Sequence, residues 1–304
     1  MREAFIRALT DLAERDERVM LVNGDLGFGV LTDFIERFPS QYVNAGVAEQ
    51  NMTAIACGMA LTGARAYTYS IGNFPTLRCL EQLRNDVCYH RSNVTVVAVG
   101  GGFSYGQLGV SHFATEDLAV MRSLPEMIVV APSDPWQAYE LTLQLHARGG
   151  PAYLRIDKGI AGLPCGHVEL GTARQVRDGN HCVIFGSGAI LSEAMAAADV
   201  LKQNGIEVRV IDVHTIKPLD TDAICLAARE CHHVFTLEEH VIAGGLGSAV
   251  AETCAEAGIT LSSFKRLGLA DTFPDVVGDQ RFLRARYGID AGGVSQVIRQ
   301  VLAN

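Results

Sequence analysis

Largely apolar runs alternate with longer segments of mixed polarity along the first half of the chain. The runs at 18–24 and 94–99 are typical of parallel strands that are buried on both faces. The segments between such runs, for example 76–90, have the length of helices. This alternation predicts an α/β fold with a doubly wound parallel sheet. The same pattern places further strands at 42–43, 64–70, 127–131 and 152–156, and further helices at 1–11, 32–38, 48–61, 117–124 and 135–147.

A segment with glycine and proline interrupts the alternation, which then begins again. Gly162, Pro164 and Gly166 lie in this segment. We therefore divide the chain into a first domain at 1–158, a linker at 159–175 and a second, smaller α/β domain at 176–304. In the second domain the pattern predicts strands at 181–185, 208–212, 234–237 and 261–267, a helix that follows the turn at 186–188 and ends at 204, and helices at 220–231, 244–257 and 291–303.

The composition limits the classes of function to be considered. Hydrophobic residues make up 48% of the 304 residues, and the formal net charge is −9. An acidic chain without a basic cluster is not expected to bind the nucleic-acid backbone. No apolar run approaches the ~18 residues that a membrane span needs, and the charged segment at 1–11 does not resemble a secretory signal. We therefore expect no nucleic-acid partner, no membrane contact and a cytoplasmic location.

The cysteines and glycine clusters indicate neither a disulfide framework nor a nucleotide site. The eight cysteines are scattered without a C-x-x-C pair, which is typical of buried, reduced thiols. The nine histidines show no metal-ligand spacing, so no metal ligands are predicted. The glycines at 100–102 and 186–188 lack the spacing of a dinucleotide-binding loop.

Glu49 is the first candidate for chemistry. It follows the turn at Gly46 and begins an alanine-rich, apolar helix. A negative charge at a helix N-terminus is favourable, so Glu49 has an ordinary structural explanation. The alternative is functional, because a carboxylate at the buried end of an interior helix needs a partner that compensates its desolvation.

Four segments in order resemble the transketolase family of thiamine diphosphate enzymes. The first, at 46–50, is similar to the catalytic-glutamate segment of that family. It is followed by 74–86, by 109–112 with Glu116 and Asp117, and by 238–240 with 244–248. The resemblance covers nearly the whole chain. It implies the pyrimidine-binding and C-terminal domains, which are about half of the full enzyme.

The resemblance also implies a set of cofactor contacts. Glu49 would hydrogen-bond N1′ of the aminopyrimidine and so promote the proton transfer that activates the thiazolium ring. Phe74 stands where the family stacks an aromatic ring on the pyrimidine, although an aromatic residue that opens a helix is more commonly a core residue. Asp25 and Leu26 resemble the family's segment at the cofactor and dimer contact, and Arg78 lies in the same family segment as Phe74.

The substrate contacts implied by the resemblance are His112, Arg155 and His240. His112 matches the family's histidine that contacts substrate hydroxyls, although a loop histidine is usually solvent-facing. Arg155 resembles a phosphate-binding arginine, with an ion pair near Asp157 or a position facing solvent as the alternatives. His240 is placed at the same cleft or at a subunit interface. Leu108 stands where the family carries an acid that contacts a sugar hydroxyl, so the preferred sugar, and whether it is phosphorylated, stay open.

The resemblance further predicts a partner chain. Thiamine enzymes bind Mg²⁺ and the diphosphate with a Gly-Asp-Gly segment and a later Asn, whereas this chain has Leu26 after Gly24 and Asp25. Asn51 lies on the helix that already carries Glu49. We therefore expect a separate N-terminal subunit to hold Mg²⁺ and the diphosphate, in an assembly with two copies of each chain (α2β2).

Other functions remain alternatives. A 1-deoxyxylulose-5-phosphate synthase-like enzyme or the β subunit of a 2-oxo acid dehydrogenase would use the same cofactor. From a different class, a non-catalytic partner or scaffold subunit would keep the fold without the chemistry. The intact Glu49 argues against a scaffold, and the run at 111–119 is more similar to transketolase than to a dehydrogenase subunit.

Overall fold

A sheet of seven strands forms the centre of the first half of the chain in the computed structural model, which describes residues 1–303. Six of its strands are parallel, and their order is β5-β6-β4-β3-β1-β2. They are β1 (Val19–Asn23), β2 (Tyr42–Asn44), β3 (Arg65–Ile71), β4 (Val94–Val99), β5 (Ile128–Val130) and β6 (Ala152–Ile156). The predicted doubly wound parallel sheet is confirmed.

Helices cover both faces of this sheet, which explains why its central strands carry uninterrupted apolar runs. One face packs against α3 (Glu49–Leu61), α4 (Leu80–Gln82, which continues as a π-helix over Leu83–Cys88) and α5 (Asp117–Ser123). The other face packs against α1 (Arg2–Ala13), α2 (Thr32–Arg37) and α6 (Pro135–Arg148).

A second sheet of five strands forms the centre of the second half, in the order β12-β11-β8-β9-β7. Its strands are β7 (Arg174–Arg177), β8 (Cys182–Gly186), β9 (Val208–Asp212), β11 (His233–Val241) and β12 (Ser263–Leu269), and β7 runs antiparallel to β9. The helices are α7 (Leu191–Lys202), α8 (Thr221–Cys231), α9 (Leu246–Glu256), α10 (Gln280–Arg286) and α11 (Ala291–Leu302). Asp side chains cap three of them: Asp220 caps α8, Asp279 caps α10 and Asp290 caps α11.

A strand from the second half of the chain belongs to the first sheet. β10 (Thr215–Lys217) follows β9 in the chain but pairs antiparallel with β5, so a segment of the second half completes the first sheet. Within residues 1–303, no helix is long and apolar enough to cross a membrane. The cysteines of this part are unpaired, and most of them are buried.

Candidate active site

The carboxyl ends of the central parallel strands meet at one edge of the first sheet. The register pairs Val99 with both Ile71 and Ile156, and Asn23 with Tyr69, so the loops after β1, β3, β4 and β6 begin side by side. In open α/β sheets this edge is where ligands bind. The structure brings Glu49, Phe74, Arg78 and His112 together there.

Glu49 is a buried carboxylate at the first position of α3. Only 2% of the residue is exposed. Its Oε1 lies 3.3 Å from Ser70 Oγ, and its Oε2 accepts a 2.6 Å hydrogen bond from Arg78 Nη1. Gly24 lies over this group, because a Cβ at Gly24 would be 3.3 Å from Ser70 Oγ and 3.5 Å from Glu49 Cγ. Glu49 is therefore buried and has a charged partner in Arg78. A side chain at position 24 would reduce the space beside its carboxylate.

A row of side chains extends from Glu49 along the edge. The Arg78 guanidinium, which is about half exposed, lies 4.6 Å from the centroid of the Phe74 ring. The Phe74 ring meets the His112 ring edge-on at 5.2 Å. His112 Nδ1 lies 3.0 Å from Ser111 Oγ. The acid, the aromatic ring and the imidazole are therefore neighbours, although they come from three separate segments of the chain.

Tyr105 and Lys158 continue the row, and the sequence did not single out either of them. The Tyr105 ring lies 6.4 Å from the His112 ring, and Lys158 Nζ lies 3.5 Å above the Tyr105 ring. Burial raises the pKa of Tyr105, and burial followed by the nearby Arg2 lowers the pKa of Lys158. The one signal that could have found them is position, because Lys158 lies just after β6 and Tyr105 follows the glycines after β4.

Asp25 and Leu26 lie after β1 but outside the row. The Asp25 carboxylate is exposed and accepts a 2.9 Å hydrogen bond from Asn44 Nδ2. Asn23 Nδ2 donates to the Leu26 carbonyl over 2.8 Å. Their predicted contact with the cofactor or a second subunit stays a prediction.

Arg155 is buried in this chain, and its predicted contact with a substrate phosphate stays a prediction. It is 2% exposed, and its Nε lies 3.1 Å from Asp117 Oδ2. Its Nη2 donates to the carbonyls of Ala114 and Glu239, both at 2.9 Å. Burial disfavours the charged form, but Asp117 and Asp157 outweigh burial and raise the pKa of Arg155. The guanidinium is a buried link between the two halves of the chain.

His240 is also buried rather than at the cleft, so the structure does not support a direct substrate contact. It is 0% exposed. Its Nδ1 donates to the Val241 carbonyl over 2.6 Å, and its Nε2 accepts from the Ala119 amide over 3.2 Å. Both ring nitrogens therefore form hydrogen bonds in the interior of the protein.

Gly101 and Gly102, which follow β4, pack against the buried side chains of Arg155 and Glu239. A Cβ at Gly101 would overlap Arg155 Nε, and one at Gly102 would lie 2.5 Å from Glu239 Oε1. These contacts give the glycine run a packing role, consistent with its lack of a nucleotide-binding spacing.

Leu108 lies beside the row, on the loop that carries Tyr105 and His112. It is 55% exposed. It lines a cavity of about 380 Å³ with Ser104, Tyr105, Gly106, Gln107, Lys158, Asp279 and Gln280.

The two sheets and the polar edge place the chain among α/β enzymes that bind their ligand at the carboxyl ends of parallel strands. Two family models match: "Transketolase, pyrimidine binding domain" over residues 1–162 and "Transketolase, C-terminal domain" over residues 171–294. The chain belongs to the transketolase family. This confirms the assignment made from the four sequence segments, and the family implies thiamine diphosphate as the cofactor.

Relatives of matching length are described as a transketolase subunit or as a split-gene transketolase. The chain is 35% identical over 301 residues to a subunit of apulose-4-phosphate transketolase from Phocaeicola vulgatus, with 96% of this chain and 94% of that protein covered. A solved structure described as "Split gene transketolase, inactive beta4 tetramer" matches with a TM-score of 0.88 and 32% identity, covering 99% of this chain and 97% of that one. A 1-deoxy-D-xylulose-5-phosphate synthase from Syntrophotalea carbinolica is 34% identical, and the match covers 98% of this chain but 47% of that enzyme.

Proposed function

We propose that this chain is the C-terminal subunit of a two-chain transketolase, which transfers a two-carbon ketol unit from a ketose to an aldehyde. The observation that carries the proposal is the buried Glu49 carboxylate, linked through Arg78 to the Phe74 ring and next to His112. A buried acid beside an aromatic face is the arrangement that the aminopyrimidine of thiamine diphosphate requires.

The residues at this edge fit that group. In the dry position under Gly24, the Glu49 carboxyl can hold a proton at ring nitrogen N1′. Phe74 offers a half-buried ring for stacking, and Arg78 orients the carboxylate through its 2.6 Å hydrogen bond. In the proposed reaction, His112 would hold a substrate hydroxyl or move its proton. When bound, the cofactor supplies the electron sink for the two-carbon unit.

A partner chain would hold the diphosphate and Mg²⁺. Large apolar side chains are exposed close to the site: Phe28 is 87% exposed, Val47 is 74% exposed and Leu77 is 41% exposed. Exposed apolar patches with a polar neighbourhood mark surfaces that another protein covers. These exposed apolar side chains support a subunit interface beside Glu49, in an assembly with two copies of each chain.

A 1-deoxyxylulose-5-phosphate synthase-like condensation is the second candidate, and the 34% identity to such an enzyme favours it over a dehydrogenase subunit. A scaffold without chemistry is less consistent with a buried, partnered Glu49. Measurement of carbon dioxide distinguishes the two thiamine reactions, because ketol transfer from a ketose releases none.

Cofactor binding is expected to need both chains. Calorimetry with thiamine diphosphate and Mg²⁺ should show no tight binding to this chain alone and binding with one cofactor per pair of chains after the partner is added. The measured transfer of a ketol unit from xylulose 5-phosphate to an aldehyde then tests the reaction. Tight binding of the diphosphate by the isolated chain would contradict the proposed division of the site.

An acid at position 108 is expected to change donor preference. Leu108→Asp places a hydrogen-bond acceptor in the cavity beside Lys158, so kcat/KM for hydroxylated donors should rise roughly tenfold relative to deoxy donors. Val110→Asp, which adds the same charge at an exposed position of the same loop, is the control. Equal substrate profiles for Leu108→Asp and the wild type would refute this role of the cavity.

A further inference from the structure

The loop that carries Tyr105, Leu108 and His112 is closed at its base by a short bridge. Gly102 and Ala114 pair antiparallel, with distances of 2.9 and 3.0 Å between amide nitrogen and carbonyl oxygen. We call residues 102–114 the His112 loop. Most of its outer positions are exposed or half-buried, so the position of the His112 side chain depends on how this base is held.

The base is held by Glu239 from the second half of the chain. Glu239 is 4% exposed, and its Oε1 accepts a 2.5 Å hydrogen bond from the Phe103 amide. Gln280 Nε2 donates to the same oxygen over 2.8 Å, and Arg284 Nε donates to the other carboxylate oxygen. One buried carboxylate therefore connects the start of the His112 loop to α10.

The surrounding contacts leave the loop base little freedom. The Glu239 carbonyl accepts from Arg155, which also donates to the carbonyl of Ala114 at the other end of the loop. A Cβ at Gly102 would lie 2.5 Å from Glu239 Oε1. The Phe103 ring is fully buried and lies 5.7 Å from the Tyr287 ring. A buried network with this many hydrogen bonds restricts the conformations of the segments that it joins.

We propose that Glu239 is a positioning residue for the reaction: it sets the position of His112 and Tyr105 relative to Glu49, so the C-terminal domain takes part in substrate binding without touching the substrate. The proposal rests on the proposed transketolase function for its kinetic consequence, but the ordering of the loop does not depend on that function. A small displacement of a positioned group weakens its contact with the substrate and lowers kcat/KM, since a shift of about 1 Å can cost up to roughly 100-fold.

The neighbouring Glu238 provides a matched control. It lies on the same strand, is 1% exposed, and points to the opposite face, as successive strand residues do. Its carboxylate accepts from the amides of Leu246 and Gly247 at the start of α9, over 2.8 and 2.9 Å. Burial raises the pKa of both carboxyls. Glu238→Gln and Glu239→Gln therefore perturb equally buried acids, but only the second acts on the His112 loop.

The first test is amide hydrogen exchange of the full chain, which requires no activity. In Glu239→Gln, the NH2 group of the new amide must face a donor, because Phe103 and Arg284 donate to different oxygens of Glu239. Exchange within 102–114 should accelerate at least tenfold, while Glu238→Gln accelerates exchange around 244–248 and leaves 102–114 unchanged. Equal protection of 102–114 in Glu239→Gln and the wild type would overturn the proposal. The double variant Glu239→Met/Arg284→Met removes both charges, so it keeps the test valid should the single variant not fold.

The second test is kinetic and uses the assembled two-chain enzyme with xylulose 5-phosphate as donor. The Glu239 variants should raise KM roughly tenfold while the Kd of thiamine diphosphate and the assembly state stay at wild-type values. Glu238→Gln should leave KM unchanged. A wild-type KM in the Glu239 variants, or the same rise in KM for the Glu238 variant, would contradict positioning. A wild-type enzyme without ketol transfer would instead reject the proposed function, with the exchange result still standing.

Discussion

Glu49→Gln is expected to lower kcat of the assembled enzyme by at least about 100-fold, the lower end of the range for removal of a general acid–base group. The amide keeps the shape of the side chain and can still accept a hydrogen bond from Arg78, so the fold and the assembly with the partner should persist. It cannot exchange a proton with N1′, which is the step assigned to the carboxyl group. Turnover and cofactor Kd, measured on the same preparation, separate these two effects.

Glu81→Gln is the control for this experiment. Glu81 is an exposed acid in α4, close to Arg78 in the chain, and its replacement should leave kcat unchanged. A Glu49→Gln enzyme that turns over near the wild-type rate would remove the central acid from the mechanism.

Arg155→Leu is expected to destabilise the chain by roughly 3–5 kcal/mol, because it leaves the buried Asp117 carboxylate without its charged partner. For a chain of this size the thermal midpoint should fall on the order of 10 °C. Lys158→Met removes an exposed cation that contacts Tyr105, and its effect on stability should stay within about 1 kcal/mol.

The same two variants decide which cation serves a phosphorylated substrate. Lys158→Met should raise KM for a ketose phosphate while KM for the unphosphorylated ketose stays constant, because Lys158 is the exposed cation at the end of the row. An Arg155→Leu protein with wild-type thermal stability and a selective loss of affinity for phosphorylated donors would identify Arg155 as the phosphate ligand.

The strands of the two sheets were predictable for a physical reason. A parallel strand buried on both faces must be apolar at nearly every position, so β4 and β8 are visible as uninterrupted runs. β7 and β10 escaped prediction. Each is a short edge strand that includes polar residues, and each is defined by its pairing partner rather than by its own pattern. The helix α10 was missed for a related reason, since most of its residues are polar and its start depends on the Asp279 cap.

The members of the site were predictable to different degrees. Glu49, Phe74 and His112 were found from segments that resemble a family, and the structure places them in one row. Tyr105 and Lys158 have no distinctive sequence context, because their role arises from a ring contact between loops that are distant in the chain. Sequence similarity also favoured Arg155, but similarity does not indicate whether a guanidinium faces solvent or a buried carboxylate.

By itself, the sequence determined the order of the central strands and most helices, the family, and the acid at the start of α3, because each of these follows from a local pattern or from short segments. Only the tertiary structure decided which charges are exposed and which are buried: it enclosed Arg155 and His240, left Lys158 at the edge, and attached the His112 loop to Glu239. Whether a charged side chain is buried, and which group it pairs with, depends on contacts between segments that are distant in the chain. No single segment of the sequence contains both partners of such a contact.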